Sequence, residues 1–253
     1  MGYRGITAKN EEQKHLCRAL ESNKPFTFVT GPAGTGKTLL SVAYGVDRVF
    51  GRRNIKHLSY MRLQVSAGSE LGFLPGTLTE KNAPYMRPFL DSYMKLDDTP
   101  LQPEAFDGTI VGRGADDRIL FETIQTMRGG TLDDQIMIID EAQNLDIETI
   151  TLIATRAGEN TKLIFLGNFA QIDDPHGRYS TPGTNGLHTL LSRMYSEGGD
   201  RFFNHVHLEE VLRSPAAAFV ERVMREKEMD PVFAELEKRG GIDLERPLYA
   251  DYV

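Results

Sequence analysis

The chain has 253 residues, 40% of them from AVILMFWYC, with 29 Lys plus Arg against 36 Asp plus Glu for a formal charge of −7, one Cys and no Trp. That length and apolar content suit one compact α/β domain or two small ones and exclude disorder and collagen-like repetition; the single Cys17 excludes a disulfide framework and a Cys-based zinc site, and fits a reducing cytosol. The acidic balance excludes coating of nucleic acid by bulk electrostatics but leaves room for a local basic groove. No apolar run reaches membrane-span length, and the opening MGYRGITAKNEEQK lacks the hydrophobic stretch of a signal peptide, so the expectation is a cytoplasmic chain with no membrane partner.

In chain order, Phe26 to Thr30 is a β-rich run that stops at Gly31, and Leu39 to Phe50 then carries apolar residues at helical spacing. Ile55 to Tyr60 reads as a second strand. From about Met61 to Gly130 the chain is rich in Gly and Pro and poorly periodic, which predicts a functional insertion within the sheet topology. Gln135 to Asp140 and Lys162 to Gly167 are nearly unbroken apolar runs, as expected of strands buried on both faces of a parallel sheet. Asp146 to Ala157 opens with an N-cap residue and Glu148 in the first turn, and Ser214-Pro215 precedes an apolar stripe over Ala216 to Lys227; both read as helices. His205 and His207 alternate on a further strand with no acid or Cys at ligand spacing, which predicts a solvent-facing strand side and not a metal site. The βαβα alternation predicts a doubly wound, mostly parallel sheet, with one domain over 1–253 and the insertion at 61–130.

Gly31-Pro32-Ala33-Gly34-Thr35-Gly36-Lys37-Thr38 fits GxxxxGK[ST] at every specified position, after a strand and before a helix that continues with Leu39. The glycines let the backbone wrap a polyphosphate with N–H groups inward, Lys37 reaches the β and γ phosphates, and the Thr38 hydroxyl can ligate Mg²⁺. Asp140-Glu141-Ala142-Gln143 ends the Gln135 strand: Asp140 can hold a water on Mg²⁺, and Glu141 is placed to polarise the attacking water. Gly167-Asn168-Phe169-Ala170-Gln171-Ile172-Asp173 follows the next strand, so Asn168 and Gln171 should open at the same sheet edge, where they could sense a γ phosphate or orient water.

These residues resemble the PhoH family of P-loop ATPases, itself similar to superfamily 1 helicases. The resemblance runs from about Ala8 to Glu228 and rests on GPAGTGKT (Gly31 to Thr38), LGFLPG (Leu71 to Gly76), PYMRPF (Pro84 to Phe89), MRGGTLDD (Met127 to Asp134), IIDEAQN (Ile138 to Asn144), QID (Gln171 to Asp173) and NGL (Asn185 to Leu187). It implies a RecA-like core, Mg²⁺-dependent hydrolysis of ATP, a homo-oligomer such as a hexameric ring, and action on RNA or single-stranded nucleic acid. By the same resemblance Lys37 and Thr38 match the phosphate and metal residues, Asp140 the metal-linked acid, Glu141 the catalytic acid and Gln171 the γ-phosphate sensor. Gln13 matches a glutamine that reads the adenine edge, and Arg213 an arginine that contacts the γ phosphate, either across a subunit boundary or within its own chain. The chain departs from the family pattern at Asn168, where Asp is usual, at Met61-Arg62-Leu63, which keeps only the arginine of a Thr-Arg-Pro triplet, and at Ser69, where an acid is usual.

The insertion is the candidate surface for a nucleic-acid strand. Arg62, Lys81, Arg87, Arg113, Arg118 and Arg128 are interleaved there with Phe73, Tyr85, Phe89, Tyr93 and Phe106, a mixture that suits base stacking along a phosphate-binding groove; Arg62, Arg87 and Arg128 are the named contacts. The competing reading is a cover that buries its aromatics in a satellite core. For the whole chain the leading function is an ATPase that binds or remodels single strands, and the rival is a nucleotide-dependent switch without strand separation. A P-loop kinase fits the DEAQ signature less well, and no NKxD sequence is present to read guanine.

Overall fold

The computed structural model describes residues 1–52, 54–62, 78–97, 118–124, 130–173, 180–181, 183–212, 216 and 219, with the backbone alone over 78–85. In chain order these form a hairpin of β1 (Gly2–Tyr3) and β2 (Ile6–Thr7), then α1 (Glu11–Glu21), β3 (Phe26–Thr30), α2 (Lys37–Val46), β4 (His57–Arg62), α3 (Leu78–Tyr93), β5 (Ile119–Phe121), β6 (Gln135–Asp140), α4 (Ile147–Ala154), β7 (Lys162–Gly167), α5 (Gly186–Ser196) and β8 (Phe203–His207). The last six strands introduced after the hairpin, β3 to β8, make one sheet in the order β5-β4-β6-β7-β3-β8, and every pairing in it is parallel. The fold is an α/β P-loop core of this doubly wound type.

Alternation along the strands sorts the core into two layers. Val29, Tyr60, Ile138, Ile164 and Leu166 face α1, α2 and α3, while Phe28, Met61, Met137, Ile139 and Phe165 face α4 and α5. All six residues of β6 and of β7 are buried, as their unbroken apolar runs predict. The helices start where short polar side chains take the first free N–H groups. Asn10 Oδ1 accepts from Gln13 N, Asp146 Oδ1 from Thr149 N and Asn185 Oδ1 from His188 N, each worth about 1 kcal/mol of helix stability.

Two expectations need correction. The insertion is partly regular: α3 spans Leu78–Tyr93 and β5 adds an edge strand beside β4. Met86, Phe89 and Tyr93 repeat at helical spacing, but Pro84 and Pro88 interrupt the signal, since proline removes an N–H and normally breaks a helix. Phe89 is fully buried against Tyr60 and Phe121 and Tyr93 stacks on Phe89, so these two aromatics are core and do not stack on bases. Arg118 lies over the Phe50 ring, 4.1 Å from its centroid.

The second correction is His205, which is fully buried and not solvent-facing. The edge strand β8 is covered by α1 on one face and by Tyr195 of α5 on the other. His205 Nε2 lies 2.9 Å from Thr30 Oγ1, its Nδ1 3.1 Å from Tyr195 Oη, and His207 Nδ1 2.9 Å from the same Thr30 Oγ1. Burial first, and the His207 charge second, push the His205 pKa down to about 3, so it stays neutral.

The expected helix over 39–50 is α2 followed by a π-helical turn at Asp47–Gly51, and of the helix expected over 216–227 only residues 216 and 219 are described, both helical.

Candidate functional site

The candidate chemistry gathers at the carboxyl edge of the sheet. The phosphate loop leaves β3 at Gly31, whose N–H donates to Gly167 O at the end of β7 over 3.1 Å. Gly31 has φ 129°, and a Cβ there would lie 1.9 Å from Leu208 O, so the junction admits no side chain. Gly36, at φ 96°, turns the loop into α2; a Cβ on it would meet Gln13 Nε2 at 2.6 Å. Lys37 Nζ donates to the carbonyls of Gly31 and Pro32, both over 2.7 Å, and Thr35 Oγ1 donates to Pro32 O. The loop therefore curls around the lysine ammonium ahead of the N–H groups that open α2.

Gln13 is buried beneath this loop. Its Nε2 donates to Thr35 O over 2.8 Å and its Oε1 accepts from Lys9 N over 2.9 Å. Its amide ties α1 to the loop, while its side chain also lines the cavity described below. Glu12 on the same helix accepts from the N–H groups of Glu209 and Glu210, and Leu212 N donates to Gly34 O, so the segment after β8 closes over the loop. Arg213 lies outside the described residues.

The acids arrive on β6, separated from β3 by β7. Asp140 Oδ2 accepts from Tyr60 Oη over 2.6 Å, and Oδ1 accepts from Glu141 N over 3.1 Å. Burial raises the Asp140 pKa, and the Tyr60 hydrogen bond opposes that rise. The Tyr60 hydroxyl is pushed well above its ordinary value, by burial first and then by the Asp140 charge, so it remains a donor. Glu141 sits at φ 57° in the left-handed region, which turns its side chain off the strand.

Gln143 joins the acids to the turn after β7. Its Nε2 donates to Glu141 Oε2 over 2.7 Å and to Gln171 O over 3.1 Å, and its Oε1 accepts from Asn168 N over 3.0 Å. Asn185 Nδ2 holds Gln143 O from the start of α5. Asn168 Oδ1 caps the short turn by accepting from Ala170 N.

These elements open into one cavity of about 790 Å³. Its lining includes Gln13, Ala33, Gly34, Gly36, Lys37, Thr38, Leu39, Asp140, Glu141, Asn168 and Gln171. Thr38 and Asp140 offer a hydroxyl and a carboxylate, hard oxygen donors that suit Mg²⁺, a cation that binds through few protein ligands plus phosphates and water. A carboxylate as buried as Asp140 also gains from a cation beside it. Both observations fit the metal role.

The sequence pattern of the PhoH-like protein family matches residues 5–225. The chain belongs to the PhoH family. It is 35% identical over 175 residues to the PhoH-like protein of Mycobacterium leprae, a match spanning 69% of this chain and 47% of that protein. Protein PhoH of Escherichia coli K12 is 35% identical over 180 residues, 68% of this chain and 46% of that one. The chain thus spans about half the length of these PhoH relatives. Among solved structures, Bacteroides Pif1 bound to single-stranded DNA aligns over 85% of this chain and 45% of its own, with a TM-score of 0.41 and 17% identity.

In this PhoH-family chain the two described arginines named as strand contacts, Arg62 and Arg87, lie on different elements. Arg62 ends β4 beside Asp140 in register, and its Nη2 lies 3.1 Å from Glu141 Oε1. Arg87 is 81% exposed on α3, 4.0 Å from Asp91. Arg128 lies outside the described residues. Sequence reasoning missed Tyr60, Gln143 and Asn185 as functional residues. Gln143 and Asn185 stand inside quoted motifs, but Tyr60 looks like any strand residue until the pairing of β4 with β6 brings it to Asp140.

Proposed function

We propose that the chain hydrolyses ATP with Mg²⁺ and couples hydrolysis to binding or remodelling of RNA or another single-stranded nucleic acid. The observation that carries this reading is the shared cavity: the phosphate loop and the Asp140–Glu141 pair face the same 790 Å³ from opposite sides of β7. The loop N–H groups and Lys37 take the β and γ phosphates, and Gln13, which lines the cavity, takes the base edge once its amide lets go of Thr35 O or Lys9 N. Glu141 accepts the proton of a water aimed in line at the γ phosphorus, and Gln171, which lines the same cavity, senses that phosphate. Mg²⁺, when bound through Thr38 and Asp140, supplies positive charge against the developing negative charge of the transferring phosphoryl group. Arg213 adds a positive charge from a neighbouring subunit of a homo-oligomeric ring, and the insertion carries the strand-binding arginines.

The test is phosphate release from ATP by the purified chain, with Mg²⁺ or excess EDTA, and with or without single-stranded RNA and DNA at fixed salt. The expected result is Mg²⁺-dependent turnover that a single strand stimulates. Turnover indifferent to every strand would favour the nucleotide switch, and no turnover in any condition would remove the ATPase reading.

A further inference from the structure

Both oxygens of the Glu141 carboxylate are occupied by protein donors. Gln143 Nε2 donates to Oε2 over 2.7 Å from within the β6–β7 edge, and Arg62 Nη2 approaches Oε1 at 3.1 Å from the end of β4. With its backbone in the left-handed region and one donor on each oxygen, the carboxylate is held in a single orientation. The two donors differ in kind. Gln143 is 1% exposed and bonded at its side-chain oxygen, both amide contacts and its backbone carbonyl, so it is fixed. The Arg62 side chain is 28% exposed and that of Glu141 33% exposed, and Arg62 also borders the cavity. The pair is part-buried, with about a third of each side chain open to water, so a solute anion can reach the guanidinium, which also acts on the Asp140 charge beside it.

We propose that Arg62 exchanges Glu141 for a backbone phosphate of a single-stranded nucleic acid, and that this exchange frees Glu141 Oε1 for the attacking water. The inference rests on the ATPase reading above and names how its strand would reach the catalytic acid. A guanidinium fork matches the oxygens of a phosphodiester as well as those of a carboxylate, so the two anions compete for one cation. The placement on β4 puts the guanidinium at the rim of the cavity, where a phosphate can reach it. Tyr60 and Arg62 lie two residues apart on that strand and contact Asp140 and Glu141 respectively, so β4 supplies one fixed, buried donor and one solvent-accessible donor to the adjacent acids. Arg62 is also the last residue of β4, at the start of the Gly- and Pro-rich insertion. Linkage requires the exchange to be reciprocal: whatever weakens the Glu141 pair must strengthen strand binding.

The deciding experiment is fluorescence anisotropy of a labelled oligouridylate with the wild-type chain, Arg62→Ala, Glu141→Gln and the double variant, without nucleotide and over a salt series. Glu141→Gln is expected to bind the strand roughly fivefold tighter. Arg62→Ala should bind about fivefold weaker, with the logarithmic salt slope smaller by about 1. In the double variant the gain from Glu141→Gln should vanish, which separates release of Arg62 from a general loss of negative charge. Arg62→Lys, which keeps the charge and loses the fork, should fall between wild type and Arg62→Ala, and thermal melts of all variants identify any that fail to fold. Strand affinities equal across the four proteins would overturn the exchange and leave the ATPase reading standing. An Arg62→Ala variant that loses affinity for a non-hydrolysable ATP analogue, with strand affinity unchanged, would also overturn it by assigning Arg62 to the nucleotide's own phosphate. An intact cycle in a chain that does not hydrolyse ATP would keep the exchange and remove the ATPase.

Discussion

Among the described residues, the most buried charge at the carboxyl edge of the sheet is Asp140, 6% exposed, and at the amino edge Lys162, 7% exposed. Burial is therefore equal, and the difference lies in what each group meets. Asp140 receives a hydroxyl and a backbone N–H and borders a cavity lined by a lysine and a threonine. Lys162 Nζ donates to one carbonyl, Lys24 O, over 2.7 Å, and burial together with the nearby Arg48 charge pushes its pKa down to about 7 against the pull of Glu21. One buried charge is supported on several sides and open to a ligand. The other is a cost of the fold, lessened by losing a proton. Depth alone does not mark a functional group; the donors and the space around it do.

That contrast can be broken from either edge. The largest expected effect is at the carboxyl edge: Lys37→Ala should lower ATP turnover by about 10³-fold or more, measured as steady-state phosphate release, since it removes the charge aimed at the β and γ phosphates. Tyr60→Phe should come next. It strips a donor from a buried carboxylate and should cost about 1–3 kcal/mol in denaturant unfolding; an unchanged midpoint would mean that Asp140 is not held from β4. At the amino edge the sign reverses. Below a pH of about 7 Lys162 is protonated in both folded and unfolded chains and the full burial cost is present. Between about 7 and its ordinary 10.5 the unfolded chain holds more protons, so stability should rise with pH. Lys162→Met should flatten that rise and raise the melting temperature at neutral pH; a lower one would show that the bond to Lys24 O outweighs the charge. The smallest effect belongs to Arg87→Ala, expected within about 0.5 kcal/mol of wild type in stability, because its pair with Asp91 is exposed and long.

The phosphate loop and the acid strand were legible because each is a local string: glycine spacing, an unbroken apolar run, and an acid at its end. Asp146 was legible as a cap, since capping depends on the next three residues only, whereas the caps at Asn10 and Asn185 emerged from the structure. What sequence could not give were contacts made by strand pairing. Tyr60 reaches Asp140, and Arg62 reaches Glu141, only because β4 lies beside β6, although 79 or 80 positions separate the partners in the chain. The burial of His205 likewise depends on α5 covering an edge strand. The helix α3 was hidden by Pro84 and Pro88, whose local preference is overridden by packing of Phe89 and Tyr93 onto the sheet.

The proposed reaction turns on Glu141 activating water beside a phosphate site formed by other residues. The most direct measurement is Glu141→Gln, with ATP binding followed by equilibrium titration and hydrolysis by single-turnover phosphate release. Retained ATP affinity with hydrolysis slower by about 10²-fold or more is the predicted result. Hydrolysis at the wild-type rate would contradict the account and place the catalytic base elsewhere.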